Sequence, residues 1–370
     1  MTKRIASIDI FRALTMLMML WVNDFAGMEG IPDWMRHAHA HEDMLGLSDI
    51  VFPTFLFCMG MSIPHAVESR ISKGQGTFRI LMHMIARSAA LIIMGVFEQN
   101  AGGSNGFELL MVIAYFLIWN DYPESGSWKR WLFIGLRLCG VGILAGLAVK
   151  AWPMTTGWWG ILGLIGWAYL FSAILYLIGR YFKPCLPFVW LAVLAIEVIS
   201  RSTGFLGGLP GGWTDAGLAF SGAMCSCLMM WLTERGKEKF FSAYALSAAC
   251  AMTLAALICH RFWIISKIQG TPTWMFLCIA IDLAVITVLH TISDRKGHTA
   301  WARPIKAAGT ATLTCYSLPY IWYPVRHFTG LYRPDVLTSG LPGLISALAF
   351  AFIIILIAEL IGKIGIRMKI

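Results

Sequence analysis

The chain has 370 residues, of which 58 % are hydrophobic and 13 % charged, with a mean hydropathy of +0.69. Soluble domains carry roughly 45–50 % apolar and about 25 % charged residues, so a water-soluble enzyme, a disordered tail and a secreted disulfide scaffold are all excluded. The net charge of +9 does not point to nucleic acid either, because the basic residues sit at the ends of apolar runs and no basic face interleaves with aromatics.

A helix needs about 20 apolar residues to cross the hydrocarbon of a bilayer. In chain order the candidates are 7–27, 50–67, 80–97, 106–119, 131–149, 157–178, 185–200, 216–233, 241–260, 273–292, 306–324 and 340–362. The fourth is short, so the expected fold is an all-α, polytopic membrane helix bundle of 11 or 12 spans. Continuous apolar runs, rather than alternating ten-residue strands, exclude a closed β-barrel. The first run follows Lys3-Arg4, contains Asp9 and Arg12 and lacks a small-residue cleavage site, so it reads as a permanent span and not a removed signal. With the amino terminus in the cytoplasm, about 19 loop lysines and arginines face inward and about 7 outward, which places both termini inside. No internal repeat or second domain is visible, and a single domain over residues 1–370 is expected.

The nine cysteines lie mostly inside apolar stretches and none are spaced CxxC. They read as small packing residues, with neither disulfides nor metal ligation.

Polar groups inside a span are costly and mark function. They concentrate in the first quarter of the chain. In Ser7-Ile8-Asp9-Ile10-Phe11-Arg12, Asp9 and Arg12 share one helical face and can pair. That pair either anchors a helix end or presents Arg12 to an anionic ligand. Asn23 and Asp24, at the far end of the same run, either cap the helix or hold a carbonyl or sugar hydroxyl. The loop that follows carries His37, His39 and His41, then Glu42, Asp43 and Asp49. Alternating histidines suit a metal, but no second Cys/His cluster completes a shell, and no metal is expected. A solvated loop and a general base are the other two readings. Imidazole titrates near neutrality and takes a proton at working pH, and Asp43 or Asp49 would orient it and stabilise its charged form.

These motifs, together with Asp49-Ile50-Val51-Phe52-Pro53-Thr54-Phe55-Leu56-Phe57, Gly60 and Ser62, resemble the heparan-α-glucosaminide N-acetyltransferase family of transmembrane acyltransferases. The resemblance is closer to the compact bacterial NagX-like (DUF5009) branch. It is strongest over residues 5–70, and 304–313 is similar to that family's carboxy-terminal helix entry. Ala13 stands where the family has Gly after Phe11-Arg12. The resemblance implies an enzyme of the bacterial inner (cytoplasmic) membrane that moves the acetyl group of cytoplasmic acetyl-CoA to the amino group of a glucosamine-type sugar outside. It implies Asn23 as an active-site amide and a loop histidine as base. Counting from Trp34 gives His37, the favoured candidate; counting back from Asp49 gives His39, the second. Asp9, Arg12, Asp24, Asp43 and Asp49 are the candidate substrate-binding residues. The CoA phosphates need cations at the inner mouth, where Arg12, Arg70, Lys73 and Arg79 are the candidates, with Arg295 and Lys296 beside them. A homodimer is the assembly the resemblance suggests. The rival reading is an amino-sugar transporter, which needs polar groups lining a midplane site.

Overall fold

The computed structural model describes residues 5–123 and 126–370; Lys3 and Arg4 lie outside the described residues. The helices in chain order are α1 (Ala6–Phe25), α2 (Leu47–Ser72), α3 (Thr77–Gln99), α4 (Asn105–Trp119), α5 (Ser127–Lys150), α6 (Gly160–Gly179) and α7 (Leu186–Thr203). They continue with α8 (Gly212–Glu234), α9 (Phe241–Cys259), α10 (Pro272–Leu289), α11 (Lys306–Thr310), α12 (Thr312–Ser317), α13 (Pro319–Thr329) and α14 (Gly340–Lys363). There is no β-strand among the described residues, only two isolated bridges. The all-α membrane class is therefore observed.

Among the described residues, nine helical stretches are long and apolar enough to cross a membrane. One of them, Gly160–Thr203, holds both α6 and α7, joined by a 3-10 segment over Arg180–Cys185. The fourth expected span is the 15-residue α4. The eleventh, 306–324, is not one helix but three pieces. Ala311 leaves helical geometry at φ −122° and ψ 43°, and Pro319 opens a new helix, because proline has no N–H to continue the ladder of the one before.

The chain divides into two compact units. Unit 1 comprises Met1–Thr15, Pro32–Ala89 and Leu164–Arg303. At its centre α2 crosses α8 at backbone contact: a Cβ on Gly60 would stand 1.8 Å from the Ala219 carbonyl oxygen, and one on Gly222 would stand 1.9 Å from that of Phe57. Small residues at such a crossing let the helices approach and gain dispersion contacts where lipid offers no hydrophobic drive. The Ser226 hydroxyl adds a hydrogen bond to the Met61 carbonyl at 2.7 Å. The amino end of α1 is capped from a distance. Asp294 accepts from the backbone N–H of Ala6 at 2.8 Å and of Ser7 at 3.3 Å, satisfying donors that a helix start leaves unpaired and placing negative charge on the favourable dipole end. α10 starts with Thr271 as cap and Pro272 in its first turn, where the missing N–H costs nothing.

Unit 2 comprises Met16–Ile31, Ala90–Gly163 and Pro304–Ile370. It contains α4, α5 and α11 to α14. Gly95 and Gly163 touch backbone to backbone, a Cβ on Gly95 falling 2.1 Å from the Gly163 nitrogen. Glu98 is held by the hydroxyls of Tyr316 and Tyr320, the latter at 2.5 Å.

Candidate active site

The histidine loop folds back onto the start of α2, and Gly46 makes that possible. A Cβ there would lie 1.9 Å from the Arg36 carbonyl oxygen and 3.3 Å from Asp49 Oδ2. Two hydrogen bonds close the loop: the Ser48 hydroxyl donates to the Met35 carbonyl at 2.5 Å, and the Ala38 N–H donates to Asp49 Oδ2 at 2.9 Å. Asp49 sits in the first turn of α2, the dipole end that favours a carboxylate, and the Trp274 indole N–H donates to its carbonyl at 3.2 Å.

This placement brings His37 and Asp49 together. His37 Nδ1 lies 2.7 Å from Asp49 Oδ1. The imidazole is 41 % exposed and the carboxylate 2 %. A carboxylate only accepts, so this bond puts a proton on Nδ1 and leaves the lone pair of the neutral ring on Nε2. The arrangement leaves Nε2 with a free lone pair on a ring whose other nitrogen is oriented by a buried acid. His39 is exposed, and its backbone N–H donates to Glu42 at 3.0 Å. His41 Nδ1 stands 3.5 Å from Gln269.

Asp43 is also fixed, but not to the histidines of its own loop. It accepts from His260 Nε2 at 2.7 Å and from the Ile265 N–H at 2.8 Å. The Ile265 N–H, first among the causes, and His260 hold its carboxyl below the ordinary aspartate value despite some desolvation. The segment between α9 and α10 thus buttresses the loop. The Ser266 hydroxyl and the Gln269 amide both donate to the Ala40 carbonyl, at 3.1 and 2.6 Å. From this segment Lys267 reaches the pair itself, 3.4 Å from His37 Nδ1 and 4.0 Å from Asp49 Oδ1.

Past the middle of α2, Arg12 Nη2 donates to the Ser62 hydroxyl at 2.6 Å and lies 3.6 Å from Asp9 by Nη1. The expected i,i+3 pair is present. A cavity of about 190 Å³ opens nearby, lined by Ile5, His65, Glu234, Glu238, His290 and Asp294 among others. Arg70 is engaged with Gln75 at 3.1 Å and His83 at 2.6 Å, while Lys73 and Arg79 are exposed around the α2–α3 turn. Asn23 and Asp24 belong to unit 2. Asn23 is exposed; the Asp24 carboxylate is 2 % exposed and held by Arg333 at 2.6 Å and the Tyr323 hydroxyl at 3.0 Å. No group of three or more His, Cys, Asp or Glu side chains converges to hold a metal ion among the described residues.

Polar groups are not confined to the first quarter of the chain. Glu197, Asp215 and Asp282 are buried acids on α7, α8 and α10, with Thr54 donating to Asp282 at 2.6 Å. One acid in an otherwise apolar run barely lowers its hydropathy, which is why the composition hides them. Sequence reasoning counts Lys267 only among the outward basic residues and gives His260 no role. Both are single residues in a short loop, and the sparseness of basic residues on that side was the only signal.

Residues 4–155 match a domain family of unknown function, DUF5009. The chain is 34 % identical over 97 residues to heparan-alpha-glucosaminide N-acetyltransferase of Homo sapiens, covering 26 % of this chain and 14 % of that protein. It is 26 % identical over 163 residues to the Mus musculus protein of the same name, covering 35 % of this chain and 24 % of that one. The chain therefore spans under a quarter of the length of either relative. By its apolar helices the chain is a membrane protein, similar over residues 4–155 to DUF5009 and over part of its length to heparan-alpha-glucosaminide N-acetyltransferases.

Proposed function

We propose that this protein is a membrane acetyltransferase that moves the acetyl group of acetyl-CoA to the amine of a glucosamine-type sugar, with His37 as general base. The observation that carries the reading is the His37–Asp49 pair at 2.7 Å, its acid buried and locked by the Ala38 N–H. A sugar ammonium is no nucleophile. His37 Nε2 takes its proton, the freed amine attacks the thioester carbonyl, and the C–S bond breaks as the nitrogen gives up a second proton, which converts the leaving thiolate to CoA. Asp49 stabilises the imidazolium formed in the first step. Between His37 and His39, the carboxylate partner favours His37 as the base.

The orientation with both termini in the cytoplasm puts the α2–α3 turn inside, where Arg70, Lys73 and Arg79 offer charge to the CoA phosphates. It puts the histidine loop outside, facing an extracytoplasmic amino sugar, in a bacterial inner membrane. The active-site role that the resemblance implies for Asn23 is tested by Asn23→Ala, which lowers turnover and leaves the melting temperature unchanged if the side chain acts on the reaction alone.

The direct test is thiol release by the purified protein given acetyl-CoA and glucosamine. A sugar-dependent signal that falls by about 10²- to 10⁴-fold in His37→Ala, the span general-base catalysis supplies, supports the reading. No sugar-dependent thiol from the folded wild-type protein overturns it. One observation favours a carrier instead: Asp282 is fully buried along α10, and buried intramembrane acids mark substrate or ion paths. Uptake of amino sugar into vesicles without acetyl-CoA, lost in Asp282→Asn, is the result that carrier requires.

A further inference from the structure

Asp49 by itself presents a chemical difficulty for the base it orients. A buried carboxylate 2.7 Å from an imidazole favours the imidazolium, and an imidazolium cannot accept the substrate's proton. Something has to weaken that pull. The α9–α10 segment supplies the one lysine that comes within 4.0 Å of both partners in the hydrogen bonds and ion pairs of the described residues.

Lys267 is poorly free to leave. Its side chain is 23 % exposed, and it feels the carboxylates of Asp49 and, from α8, Asp215. Its neighbours Ser266 and Gln269 are bonded to the Ala40 carbonyl of the histidine loop. Burial lowers the Lys267 ammonium below the ordinary lysine value, while Asp49 opposes the shift. Asp49, 4.0 Å away, and Asp215 favour its charged form. An ammonium only donates, and Nδ1 of His37 already gives its proton to Asp49. The contact at 3.4 Å is therefore an electrostatic opposition to a second proton on the ring.

We infer that Lys267 is a positioning residue for His37: its ammonium shares Asp49 with the imidazole and keeps the ring in its neutral, proton-accepting form. The inference rests on the acetyltransferase reading for its purpose, not for its physics. The charges around the ring are accounted for by element. Asp49 faces it from α2 and Lys267 from the α9–α10 segment, with Asp215 of α8 behind Lys267. Within the loop, Asp43 is spent on His260 and Ile265, Glu42 on the His39 N–H, and Arg36 is exposed.

The test uses the full-length protein labelled with ¹⁵N-histidine in detergent micelles, with signals assigned by His37→Gln. Unit charges about 4 Å apart interact strongly enough, even in water, that removing the ammonium moves ring charging by about one pH unit. In Lys267→Met the His37 nitrogens report charging about one unit higher than in wild type, and the acid limb of the rate profile moves up with them. Lys267→Arg keeps the charge and moves neither. Charging at the same pH in wild type and Lys267→Met overturns the inference, as does a Lys267→Arg shift equal to that of Lys267→Met. If Lys267→Met does not fold, wild type alone decides: a neutral His37 ring at pH 7 supports the inference, and an imidazolium there overturns it. The nuclear measurement needs no turnover. A protein that shows the shift yet transfers no acetyl group loses the acetyltransferase reading and retains this one.

Discussion

Replacing Asp49 with Asn removes a charge and keeps the shape. Oδ1 of the amide can still accept from the Ala38 N–H, now at 2.9 Å from Asp49 Oδ2, so the loop stays closed. What changes is the partner of His37. An imidazolium and a carboxylate about 4 Å apart attract by about 1 kcal/mol in water and about 4 kcal/mol at an effective dielectric near 20. Asp49 is 2 % exposed but the ring is 41 % exposed, so an intermediate figure of about 2 kcal/mol is appropriate. At 1.36 kcal/mol per factor of ten that is a rate loss of about 30-fold. The amide NH₂ adds a second penalty by facing Nδ1 with a donor, which turns the ring so that Nε2 carries the proton and has no lone pair to offer. Thiol release under saturating acetyl-CoA and glucosamine should therefore fall by at least about 30-fold, with the melting temperature within a few degrees of wild type. A folded Asp49→Asn protein within about 3-fold of wild-type turnover refutes the base assignment.

Three further outcomes follow from the packing. Gly60→Ala puts a methyl 1.8 Å from a backbone oxygen that no rotamer can avoid; overpacking of about 1–3 kcal/mol outweighs a helix-propensity gain of about 1 kcal/mol, and a fall in thermal stability in detergent checks it. Asp24→Ala strands Arg333 in unit 2 and should cost about 3–5 kcal/mol, the range for breaking a buried pair; full stability with lost turnover would instead make Asp24 a substrate ligand. Asp43 has its folded carboxyl lowered, so its hold on Ile265 is complete above the ordinary aspartate value of about 3.9 and lost as pH falls through the lower folded value. Hydrogen exchange at the Ile265 amide should show protection, relative to Asp43→Asn, that is unchanged from pH 7 to about pH 5.

Much of the fold was written in the chain as apolar runs of bilayer length, and α1, α2, α8, α10 and α14 lie where those runs lie. The break at Ala311 was not, because only local backbone angles mark it, whereas the second break in 306–324 carries a residue-type signal in Pro319. In the site, His37 and Asp49 are 12 residues apart and could be weighed together. Lys267, by contrast, is 230 residues from His37, and no periodicity links them. The count from Trp34 favours His37 over His39, but the meeting of its ring with Asp49 depends on how Gly46 lets the loop turn, a property of backbone contact and not of residue type. Glu197 and Asp215 went unmarked because each is a single acid inside a run otherwise fit for lipid.

The meeting of α2 and α8 at Gly60 and Gly222 acts as a fulcrum. Asp49 stands 11 residues from Gly60, a lever arm of roughly 16 Å at 1.5 Å per residue. Tilting the helix by only about 5° there swings the acid by about 1.4 Å, by the same helical rise. That stroke is large against a 2.7 Å bond, and misplacements of about 1 Å cost catalysts on the order of 10²-fold. A bulkier residue at this buried crossing can thus draw Asp49 away from the imidazole without touching either.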